Sequence, residues 1–156
     1  MISKAEIHHI VHGFQDHTLP KEEWTHQAHL INGLFCVLNE GLEQGIKQIR
    51  DGIKSYNLSV GTQNTDTGGY HESITVFFMH ALDAFRKQFQ ENVPLVDLAN
   101  HLDGSLLMNE RLLFRFYSKE RLFSVKARRE WVKPDIQPLS MIYSYLNGIE
   151  TEFGED

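Results

Sequence analysis

His26 and His29, in the stretch EEWTHQAHL (22–30), share one face of any helix that has begun by that point. Neutral imidazoles at that spacing can hold one metal ion together. Two ligands do not make a centre, and His71, in NTDTGGYHESITVFF (64–78), is the best candidate for a third. Glu72 beside it could be a fourth ligand, an acceptor for an imidazole N–H, or the catalytic base acting on metal-bound water. Such a donor set suits one divalent transition metal, Zn²⁺, Fe²⁺, Ni²⁺ or Mn²⁺, without choosing among them. The opposing reading is plainer. Each histidine near a helix start makes a single hydrogen bond to a carbonyl or carboxylate, and His71 and Glu72 satisfy buried loop amides.

Aromatic and cationic groups stand near these residues in sequence or are spaced among apolar ones. Trp24 precedes the first histidine pair, and Tyr70 precedes His71. Arg111, Arg115, Tyr117 and Arg121 are interleaved with large apolar residues in NERLLFRFYSKERLF (109–123). Trp24, Tyr70 and Arg121 are the candidates for contact with a substrate, a guanidinium being suited to orienting an anionic group. The alternative for the arginines is a stem packed on the core with its head in water. Stronger signatures are absent. HESIT (71–75) opens like a zinc-protease motif but has Thr75 where the second histidine belongs, and there is no nucleophile elbow or P-loop. EIHH (6–9) and EWTH (23–26) fit Glu-x-x-His, but the further bridging glutamates of a di-iron bundle are not evident. His8 and His12 fall on the exposed side of their helix.

The elements that must position these groups are helical. Ser3 and Glu6 form a capping box, and Ile7, Ile10, Val11 and Phe14 make one buried stripe of a helix ending near Gln15. A second helix starts at Pro20 or from a Thr25 cap and runs to about Leu38. It is apolar almost all round, and Gly33 inside it costs about 1 kcal/mol against Ala, which close approach of a neighbour would justify. A third, amphipathic helix covers about 40–56, followed by the polar loop 57–69. Loops of that length in compact domains are often functional. The fourth helix carries Ile74, Phe77, Phe78, Ala81, Leu82, Phe85 and Phe89, and one further turn back would place His71 at the core's open end. Shorter helices are expected at 94–102, at 106–117, after Ser118 or Ser124, and at 139–148, with an acidic end at about 149–156 that frays. The expectation is a single all-α domain, 1–156, a bundle of about five to seven helices with a long loop between the third and fourth.

Composition sets the outer bounds. The chain has 156 residues, 41% apolar and 23% charged, which is ordinary for a globular domain. A net charge of −6 argues against a nucleic-acid partner, and the basic run KARRE (126–130) reads as a solvated helix face. No stretch approaches the length of a membrane span, and MISKAEIHHIV lacks the apolar core of a signal peptide. The single cysteine, Cys36, excludes an internal disulfide, points to a reducing, cytoplasmic setting, and sits in an apolar run as a small core residue.

Three segments, LPKEEWTHQAHL, YNLSVGTQNTDTGGYHESIT and YSKERLF with WVKPD, together resemble a family of small bacterial all-helical proteins over about residues 18–135. The resemblance implies a cytosolic bacterial helical domain and carries no activity with it. From the residues themselves, the first functional expectation is a metal-dependent, hydrolase-like enzyme acting on a small polar substrate. The alternative is a non-catalytic helical module that binds a small ligand or a partner. A homodimer, with its seam on the apolar second and aromatic fourth helices, is a third.

Overall fold

The computed structural model describes residues 1–147. Among them there is no strand, and the elements are α1 (Lys4–Gln15), α2 (His26–Ser59), α3 (Glu72–Arg86), α4 (Leu95–Asp103), α5 (Lys119–Leu122), α6 (Val125–Arg129) and α7 (Ile142–Leu146), with short 3₁₀ turns before α2, α5 and α7 and loops elsewhere. The all-helical bundle is as expected, and no helix is long and apolar enough to cross a membrane among these residues. The acidic end at 149–156 lies outside the described residues.

Local chemistry accounts for the helix starts. Ser3 Oγ accepts the N–H of Glu6, and Thr25 Oγ1 accepts that of Ala28. Pro20 opens only a 3₁₀ turn, Lys21–Glu23, so Thr25 is the cap of α2. The expected second and third helices are the two arms of α2, which meet at Gly41, where φ is 78° and ψ 176°. That backbone conformation is almost confined to glycine. It folds the arms back on one another, so that a Cβ on Gly45 would come within 3.1 Å of the Cys36 carbonyl oxygen.

Helix α3 lies along both arms. A Cβ on Gly33 would sit 2.8 Å from Leu82 Cδ1 and 3.0 Å from Met79 Sδ, which is the close neighbour that its glycine suggested. At the other arm Arg50 meets Glu72 at the start of α3. Phe77, Leu34, Ile49, Tyr56 and Leu82 are buried in the core these three segments enclose, and Leu107, Phe116, Tyr117 and Leu122 close it from the C-terminal half. Burial at roughly 25 cal/mol per Å² of apolar surface makes this core the main source of stability. Cys36 lies within it, and burial pushes its thiol up to about 12, so it is a protonated packing residue.

Two expectations are corrected. The segment 106–117 is not one helix but two 3₁₀ turns, Leu106–Met108 and Glu110–Arg115, because Asn109 turns its side chain onto the Arg111 N–H as a cap. Helix α3 ends at Arg86, short of Phe89, and begins at Glu72, so Tyr70 and His71 stand before it. Both Ser118 and Ser124 cap short helices, α5 and α6.

Candidate functional site

A cavity of about 430 Å³ opens between the first arm of α2, the second arm, α3 and the 3₁₀ turn Glu110–Arg115. Its walls are mostly apolar: Leu30, Ile49, Ile53, Met79, Leu82, Leu113 and Leu122 are all buried core residues. Its exposed lining residues include Glu110, Arg111 and Phe123. The volume falls within the ~300–1,000 Å³ typical of small-molecule sites, which pair apolar walls with a few placed polar groups.

Of the residues singled out from sequence, Trp24, His26 and His29 line this cavity. The ring of His26 is held by Nε2, whose N–H donates to the Leu107 carbonyl at 2.8 Å, and it meets Phe78 edge-on at 4.9 Å. Its Nδ1 lies 3.5 Å from a Glu110 carboxylate oxygen. His29 is oriented the other way round. Its Nδ1–H donates to the Thr25 carbonyl at 2.8 Å, one helical turn back. A carbonyl only accepts, so Nδ1 carries the proton and Nε2 carries a lone pair. Trp24 covers the ring at 3.8 Å between centroids, and stacks in turn on Phe14 at 4.7 Å. Burial pushes the His29 pKa down to about 4, so the imidazole is neutral at neutral pH.

His71 is elsewhere. It caps α3, its Nδ1 accepting the Ile74 N–H at 3.2 Å, while Nε2–H donates to the Leu122 carbonyl at 2.7 Å. Both ring nitrogens are therefore committed to backbone, and burial lowers the pKa of the ring. Among the described residues, no three His, Cys, Asp or Glu side chains are grouped as a metal centre would need. The structure brings His26 and His29 together but does not add His71 to them. This follows from the helix start: as a cap, His71 must bend its ring back onto its own first turn.

Glu72 does not line the cavity either. Its carboxylate takes a bidentate ion pair from Arg50, at 2.9 to 3.0 Å, and the Tyr70 hydroxyl at 3.1 Å. A carboxylate so engaged holds α3 against the second arm of α2; it is not placed to accept a proton from a water among the three histidines. Tyr70 is buried in this network, its phenol pushed up by burial and by the Glu72 charge. Arg121 donates its Nε–H to the Lys133 carbonyl at 2.6 Å, tying α5 to the chain beyond α6.

The polar loop is fastened down. Asn64 joins Asn57, Lys54 and the Tyr70 N–H, while Arg128 donates to the Gly69 and Tyr70 carbonyls and Arg129 pairs with Asp66. Lys126, Arg129 and Glu130 are exposed, as expected of a solvated face, and Arg128 and Arg129 of the same run also clip the loop; no loop residue lines the cavity.

Arg111 is the member of the arginine cluster that reaches the cavity, with Glu110 beside it. Glu110 had no signal of its own in the sequence: a single acidic residue before an apolar run looks like any solvated helix start. The wall residues Ile49, Ile53 and Leu113 read as ordinary core positions, because a cavity is a gap between elements and leaves no periodicity behind.

Fold and cavity together define an all-helical protein with an open, largely apolar pocket of small-molecule size. No family model matches the chain, and neither the curated proteins nor the solved structures compared with it give a match.

Proposed function

We propose that this chain is a binding module for a small, largely apolar molecule with one polar group, held without covalent chemistry. The observation that carries this reading is the 430 Å³ cavity, with apolar walls and the His26–His29 pair beside them. The apolar body of the ligand would replace water against Leu30, Ile49, Met79 and Leu82, each buried methylene contributing about 0.8 kcal/mol. The polar group would lie by the histidines and Arg111, where the ligand is oriented.

The test is ligand-dependent thermal stabilisation of metal-free protein, screened with small aromatic and alicyclic compounds. Ile74 lines the cavity and is half-buried, so Ile74→Trp fills space at modest cost. Compounds that raise the melting temperature of the native chain should no longer do so in this variant. Stabilisation that appears only with added metal, or that survives Ile74→Trp unchanged, would defeat the reading.

A further inference from the structure

Resting on the cavity as a ligand site, we infer that it selects molecules bearing a neutral hydroxyl on a ring-sized apolar body, with the hydroxyl donated to His29 Nε2. Three observations converge on that atom. The Nδ1–H is committed to the Thr25 carbonyl at 2.8 Å, which fixes the tautomer and leaves Nε2 as an acceptor. The ring lines the cavity under Trp24, its centroid 3.8 Å from the indole, so its orientation is held before any ligand arrives. Nε2 has no hydrogen-bond partner in the protein among the described residues, and no buried side-chain nitrogen or oxygen there goes unsatisfied, so Nε2 is reachable from outside the protein.

The other polar groups of the lining narrow the choice further. The N–H of His26 is spent on the Leu107 carbonyl, and its other nitrogen faces the Glu110 carboxylate. Glu110 and Arg111 both line the cavity, so its formal charges of opposite sign cancel. A carboxylate ligand would set its lone pairs against that of His29, and neutral imidazole offers it no compensating charge. An ether or bare hydrocarbon would leave the Nε2 acceptor desolvated and unpaired. A hydroxyl supplies the missing donor, and a donor is what such a site discriminates on most strongly.

The experiment compares naphthol, its methyl ether and naphthoate by calorimetric titration of the metal-free native chain, with the ¹⁵N shift of His29 Nε2 followed by NMR. Naphthol should bind about tenfold more tightly than the ether, the worth of one buried hydrogen bond, and should alone move the Nε2 resonance. His29→Phe should bring naphthol and ether to equal affinity. Equal binding of the ether or of naphthoate in the native chain, or an unmoved Nε2 resonance, would overturn the hydroxyl assignment while leaving the cavity reading intact. Failure of all three compounds to bind would count against the cavity reading as well.

Discussion

His71 joins α3 to α5 through one ring: its Nε2–H donates to the Leu122 carbonyl at 2.7 Å while its Nδ1 accepts the Ile74 N–H. The two bonds demand the neutral Nε2–H tautomer, because a proton on Nδ1 would face the Ile74 N–H donor to donor. Leu122 also lines the cavity, whereas His71 does not.

His71→Ala should therefore destabilise the fold by about 2–3 kcal/mol, from a lost cap and an orphaned buried carbonyl. Urea denaturation checks this. His71→Asn, which keeps a capping oxygen, should recover part of the loss. Metal content after metal-supplemented growth should be the same in native protein and in His71→Ala; a fall in the variant would restore the three-histidine centre.

Glu72 and Arg50 should behave as a coupled pair. Their pairing is bidentate, and Glu72 is buried, with only 11% of its side chain exposed. Removing one partner leaves the other partly buried and uncompensated, at a cost of up to about 3 kcal/mol. Arg50→Ala with Glu72→Ala together should cost less than the sum of the two single variants, by about 1–2 kcal/mol in a double-mutant cycle.

Acid should weaken the protein through its histidines. The folded pKa of His29 is lowered from 6.5 to about 4, by burial first. His71 and His80 are lowered as well, again by burial first. A lowered histidine pKa means that the unfolded chain takes up the proton first, so stability is full above about pH 6.5 and falls as pH drops toward 4. For His29 the loss is on the order of 2 to 3 kcal/mol. Denaturant midpoints at pH 7 and pH 5 should differ in that direction, and His29→Phe should flatten the dependence.

Gly41→Ala should cost about 2 kcal/mol although the position is exposed and an added Cβ would meet nothing within 4 Å. The penalty is backbone strain alone, because φ stays near 78° as long as the two arms of α2 pack together. Chemical denaturation measures it. A neutral substitution would show that the junction can relax into a continuous helix.

The sequence by itself determined what is local. Ser3, Thr25, Ser118 and Ser124 cap helices as their side-chain chemistry requires, and the apolar stripes of α1 and α3 face the core because their spacing allows one buried side. It also brought out His26 and His29 as neighbours, since residues three apart on a helix share a face wherever the helix goes, whereas Trp24 stands before the helix and reaches the His29 ring from the preceding turn. Only the tertiary structure decided what those rings meet. The partner of His71 is a carbonyl 51 residues away, that of His26 a carbonyl 81 residues away, and Glu72 is matched to an arginine 22 residues earlier. An imidazole binds metal, caps a helix or receives a ligand according to which atoms approach its two nitrogens. Those atoms arrive from distant segments whose positions are fixed by the packing of the core.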